Sequence, residues 1–105
     1  MEVNVKLKGI YTSEDTLKCP FCDFDCLHIL SISVHRGMDK TVINNKGIFV
    51  KEEKNKLRGV VLIVEFCCEE GHHFNTITHF HKGSVYVEHE KLKTSCADIR
   101  DVWRD

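Results

Sequence analysis

Two short stretches of this 105-residue chain have the spacing that grips a metal ion. Cys19-Pro20-Phe21-Cys22 sets two thiols with two residues between them, and Cys68-Glu69-Glu70-Gly71-His72 sets a thiol and an imidazole with three between them. Zinc takes four soft or borderline ligands in a tetrahedron, with sulfur at ~2.3 Å and imidazole nitrogen at ~2.0–2.1 Å. One tight turn holding two ligands supplies half of that tetrahedron, and two such turns on neighbouring strands supply all of it. Pro20 stiffens the first turn, and Gly71 lets the second curl before His72. The expected chemistry is a structural zinc ion on Cys19, Cys22, Cys68 and His72.

The other cysteines and histidines compete for the same role. Cys67 is the alternative third ligand. On a strand, Cys68 shares parity with Val60, Leu62, Val64 and Phe66, whereas Cys67 sides with Glu65, so parity favours Cys68. Cys26 follows Cys22 closely enough to join a Cys19/Cys22/Cys26 site, but it also reads as a small buried hydrophobe. Cys96 falls on an apolar helical stripe and reads as core. His28, just past the first knuckle, is expected on the apolar face of its strand, as a hydrogen-bonded core histidine or as a ligand. His79 and His81 share a strand face, a spacing that could coordinate a metal or simply face water. His35 reads as exposed.

Strands must position these residues. Val3, Val5 and Leu7 alternate with Asn4, Lys6 and Lys8, the period of a half-buried strand. Leu27 to His35 alternates again, with His28, Leu30, Ile32 and Val34 expected together on one face. Arg36 to Arg58 is polar and reads as loop, broken by an apolar island at Ile48, Phe49 and Val50 that can form an edge strand. Val60 to Phe66 is nearly all apolar and β-branched, so it is expected as the central strand, covered on both faces. His73–His81 and Ser84–His89 read as a hairpin about a Lys82-Gly83 turn. Ser95 with Asp98 resembles a capping box, and Cys96, Ile99 and Trp103 then share a helical stripe. The fold class expected is mostly β, a small α+β domain spanning 1–105: a zinc-ribbon-like antiparallel sheet with a short C-terminal helix.

Composition narrows the function. With 42% hydrophobic and 30% charged residues and a single proline, the chain is neither a disordered tail nor a low-complexity linker. Its net charge of −1 provides no global field for nucleic acid. Arg36 to Arg58 nevertheless holds seven bases against three acids, a local charge of +4. A basic loop of this kind can grip phosphates, so a nucleic-acid-binding zinc ribbon using residues 36–58 is an alternative function. The first residues contain no apolar signal segment, and the longest apolar run, Val60 to Val64, is far short of the ~20 residues that span a bilayer. A cytoplasmic protein without membrane contact is expected, its thiols reduced and its clustered Cys and His therefore directed to a metal.

These motifs resemble zinc ribbons and, more narrowly, a group of small uncharacterised bacterial and phage-borne proteins. The resemblance rests on Cys19-Pro20-Phe21-Cys22, Cys26-Leu27-His28, Phe66-Cys67-Cys68-Glu69-Glu70-Gly71-His72 and His81-Lys82-Gly83, about 65 residues in all. It implies metal roles for Cys19, Cys22, Cys68 and His72 and puts Cys26 at a position that is usually aromatic. Asp23 departs from the pattern, since these knuckles usually carry glycine there, and Cys67 adds a neighbouring thiol. No activity comes with the resemblance. Cys-Pro-Phe-Cys is also similar to the dithiol of glutaredoxins, a thiol-disulfide oxidoreductase reading that needs a helix after the first cysteine to lower its pKa. The strand periodicity from Leu27 argues against that helix. A catalytic zinc needs an open coordination position, which four protein ligands close. The reading that remains is a metal-stapled structural or protein-interaction module.

Overall fold

The alternating segments assemble into one antiparallel sheet. The computed structural model describes residues 16–94, 96, 101 and 102. Its strands are β1 (Leu27–Arg36), β2 (Asp39–Asn44), β3 (Gly47–Glu52), β4 (Val60–Cys68), β5 (His73–His81) and β6 (Ser84–Lys91). Their order across the sheet is β3-β2-β1-β4-β5-β6. Neighbours along the chain pair through hairpins, except that β4 crosses back to lie beside β1. No helix occurs among the described residues. The expected N-terminal strand at Val3–Leu7 lies outside them. So does most of the expected C-terminal helix over 95–103, where Cys96, Asp101 and Val102 are described and are not helical.

Turn chemistry fixes the hairpin registers. Lys82 and Gly83 both take left-handed backbone (φ 52° and 79°), the twist a two-residue hairpin needs, and His81 faces Ser84 across the turn. The Asn44 side-chain oxygen accepts the Lys46 N–H at 2.8 Å and closes the β2–β3 turn. This hairpin corrects the loop expected over Arg36–Arg58. Residues 39–52 are two paired strands, and only 53–59 form a loop. Asn55 organises that loop: its N–H donates to the Gly37 carbonyl at 2.8 Å, and its amide donates to the Gly59 carbonyl at 3.0 Å. Gly59 (φ 83°) lies so close to β5 that any Cβ there would collide with the Phe80 carbonyl oxygen.

A β-bulge in β1 overturns the expected facing of His28. The ladder with β4 shifts between Ile29 and Ser31, so that His28 faces Cys67, Ile29 faces Phe66 and Ser31 faces Glu65. One extra residue flips strand parity. His28 therefore shares a face with Ser31, Ser33 and His35 instead of with Ile32 and Val34.

Burial concentrates at one end of the sheet. Cys19, Phe66, Cys68 and Phe74 form the core cluster, with Phe24, Leu27 and Val64 packed against it. Phe66 and Phe74 stack with centroids 5.3 Å apart, and Phe21 meets Phe74 edge-on at 5.6 Å. Away from this end the sheet is thinly covered. β4 is central, as its composition requires, yet Leu62, Ile63 and Val64 are only half-buried and not enclosed from both sides.

Candidate metal centre

Both knuckles are built alike. In the first, Cys19 N–H donates to the Phe24 carbonyl and Asp23 N–H donates to the Cys19 carbonyl, each at 2.8 Å. The chain then turns through Asp23 in left-handed backbone (φ 64°), a conformation that a short polar side chain tolerates where glycine is usual. In the second, Cys68 N–H donates to the His72 carbonyl and Gly71 N–H to the Cys68 carbonyl, again at 2.8 Å, with Gly71 at φ 97°. Each leading sulfur accepts a backbone N–H: Phe21 N–H to Cys19 Sγ at 3.4 Å and Glu70 N–H to Cys68 Sγ at 3.3 Å. Such donors favour a thiolate.

The two turns bring four ligand atoms together. One from each of Cys19, Cys22, Cys68 and His72 lies within 4.8 Å of all the others. Cys22 Sγ and Cys68 Sγ are 3.5 Å apart, close to the ~3.8 Å edge of a tetrahedron with zinc–sulfur bonds of ~2.3 Å. Cys19 and Cys68 are buried, His72 is half-buried, and Cys22 is at the surface. His72 Nδ1 is buried and has no hydrogen-bond partner, a costly state for a polar atom. Three clustered thiols and an orphaned imidazole nitrogen fit a soft divalent cation.

Electrostatics separates the thiols. Burial pushes the Cys19 thiol up, but the backbone N–H groups of Phe21 and Cys22 and the thiols of Cys22 and Cys68 outweigh it, and the pKa falls below its ordinary value. At Cys22 the Phe24 backbone favours the thiolate. Desolvation, the neighbouring Cys68 and Cys19 sulfurs and the Cys19 charge overcome that, and push it up to about 11.

The spare residues, Cys26 apart, have other partners. Cys67 points to the opposite face from Cys68 and forms a disulfide with Cys96 (S–S 2.08 Å), which corrects the expectation of reduced thiols and of Cys96 as plain core. Cys26 is exposed and free, neither ligand nor buried hydrophobe. Its thiol is raised by desolvation and by the negative charges of Glu69 and Asp25. His28 meets Asp101 through Nδ1 at 2.9 Å and Glu69 through Nε2 at 3.1 Å, leaving neither nitrogen for a metal. His73 is held between Glu65 at 2.6 Å and Thr94 at 2.8 Å. His79 and His81 stack at 6.0 Å, but His79 is hydrogen-bonded to the Arg58 carbonyl. His35 is half-buried, not exposed.

Sequence reasoning missed the Cys67–Cys96 link and the ties of His28 to Asp101 and Glu69. Together these fasten the C-terminal stretch to the polar face of the sheet. The adjacency of Cys67 to a ligand was the available signal for the first, and nothing local announced the second. Among the described residues no helix follows Cys22, since the chain passes through Asp23 into β1. Two of the bases in 36–58 are tied to carboxylates, Arg36 to Asp39 at 3.2 Å and Lys40 to Glu53 at 3.3 Å. No helix among the described residues is long and apolar enough to cross a membrane. Comparison with protein-family models, with curated proteins and with solved structures returned no match.

Proposed function

We propose that Cys19, Cys22, Cys68 and His72 hold one zinc ion in a closed structural site. The protein then acts as a zinc-ribbon-like module that presents the surface of its sheet to a protein partner. The observation that carries the reading is the convergence of four ligand atoms within 4.8 Å, one of the four residues being a histidine with an orphaned buried nitrogen. Three sulfurs and a nitrogen this close together suit zinc better than a hard cation, which prefers oxygen. With four protein ligands the ion has no open position for an attacking water. Glu69 and Glu70, the nearest candidate bases, are exposed turn residues, and Glu69 is occupied by His28. The ion's work is to join the first knuckle to the end of β4.

Elemental analysis of protein purified without chelator tests this directly. About one zinc per chain is expected, and cobalt substitution should give the thiolate charge-transfer and d–d bands of a tetrahedral sulfur-rich site. A metal-free protein that folds cooperatively would sink the reading.

A further inference from the structure

One face of the sheet carries a continuous apolar field that the described fold leaves open. Register aligns Val50, Thr41, Val34, Leu62, Thr78 and Val87 in a row across all six strands. The next row on the same face is Ile48, Ile43, Ile32, Val64, Thr76 and His89. Neither row contains Asp, Glu, Lys or Arg. Phe80 and Val85 extend the field into a third row, whose charges, Glu52, Asp39 and Arg36, lie at its other end. Exposure confirms that the field faces outward: Ile48 is 70% exposed, Val50 69%, Val87 61% and Val85 60%. The described residues of the C-terminal stretch lie on the opposite face, where Cys96 is tied to Cys67 and Asp101 to His28. The first knuckle covers only the metal end, around Phe66 and Phe74.

We propose that this face closes against the same face of a second copy, giving a two-sheet sandwich with the sheets ~10 Å apart. The proposal deepens the interaction-module reading by naming the partner. It rests on that reading for the folded sheet and not for the identity of the metal.

Area decides between occupants. Six strands at ~4.8 Å over two full rows and the uncharged half of the third, at ~6.7 Å a row, make a field of roughly 500 Å² in projection, so a symmetric pair removes about 1,000 Å², the least a specific interface needs. Residues 1–15 offer Val3, Val5 and Leu7 in alternation, one strand's width of about 100 Å², a fifth of what needs covering. An apolar field without charged side chains offers a charged partner nothing to pair with, but it is complementary to itself, as an isologous interface requires.

Sedimentation or light scattering of the full-length protein tests this, with metal content measured on the same sample. A dimer is expected at ~100 µM and dissociation in the micromolar range or tighter. Val50→Lys with Val87→Lys replaces two side chains that are already mostly exposed within one chain, so the fold and metal content should persist. The dimer should weaken by about 100-fold or more. Tyr86→Lys, on the opposite face of β6, should leave it intact. A monomeric wild type at ~100 µM overturns the proposal and turns attention to residues 1–15 or a different protein. Persistence of the dimer in Val50→Lys/Val87→Lys overturns it equally. A dimer without metal would leave it standing while removing the zinc reading, and a metal-loaded monomer would do the reverse.

Discussion

The adjacent thiols of β4 give the sharpest test, because one strand step separates two different bonds. Cys68→Ser removes a proposed metal ligand; Cys67→Ser removes a disulfide. A structural zinc contributes on the order of 10 kcal/mol to a small domain, comparable to the whole stability of such a chain. Losing one of its three sulfurs should abolish stoichiometric metal and the cooperative melt together. The disulfide closes a loop with a sequence separation of 29, and chain-entropy reasoning assigns such a loop about 3–4 kcal/mol. Cys67→Ser should therefore stay folded, keep its zinc and melt about 15 °C lower or more. Wild type in a mild reductant that does not strip zinc should behave like Cys67→Ser. Elemental analysis, circular-dichroism melts and intact mass under denaturing conditions read the three effects separately. If Cys67→Ser lost the metal and Cys68→Ser kept it, the facing of β4 and the ligand set derived from it would both be wrong.

Gly59→Ala should destabilise by about 2 kcal/mol or more, through its left-handed backbone and the collision of a Cβ with the Phe80 carbonyl, and a melt within 2 °C of wild type would refute the close approach. His35 is held below its ordinary pKa of 6.5 chiefly by burial, with Lys40 and Lys51 adding to the effect and Glu53 opposing it. The fold thus favours the neutral ring, and that stability is fully present above pH 6.5 and lost as pH falls through the lowered pKa. The melting temperature of wild type should accordingly fall more steeply below pH 6.5 than that of His35→Gln, and parallel curves would remove His35 as the cause. Denaturing thiol titration of freshly isolated, metal-free protein should find four free thiols of six, at Cys19, Cys22, Cys26 and Cys68; six would mean that Cys67 and Cys96 are reduced in the cell.

The ligand spacing and the strand pattern were legible because both are local. Cys19/Cys22 and Cys68/His72 each sit within one turn, and β4, β5 and β6 announce themselves by β-branched runs and a Lys-Gly turn. Parity of β4 separates Cys68 from Cys67 because no bulge interrupts it. The same argument failed on β1, where the bulge beside Leu30 returns His28 to the polar face. The β2–β3 hairpin was hidden by its charges. Lys40, Lys51, Glu52 and Asp39 read as loop, yet at this margin of the sheet both faces of the hairpin are open to water and the strands tolerate them. The Cys67–Cys96 link joins residues 29 apart, and no local spacing encodes such a pairing.

The arrangement of β4 accounts for how a chain with so little core among its described residues keeps its shape. Consecutive residues of a strand point to opposite faces, so Cys68 reaches the metal cluster on one side while Cys67 reaches the C-terminal stretch on the other. With the proposed ion bound, the end of the central strand is clamped from both faces by bonds that need little apolar burial. Such bonds are what a domain of this size uses when its core alone is marginal. Four and six residues back along the same strand, Val64 and Leu62 lie in the open field between β-branched neighbours. A conventional core would have to cover those side chains within one chain. Because the knuckles and the disulfide fix the sheet from its end, the fold can instead leave that face exposed for association. Metal binding and face-to-face association are therefore separable in one direction: stripping the ion should cost the cooperative fold and association with it. Charging Val50 and Val87 should weaken association while leaving the ion in place.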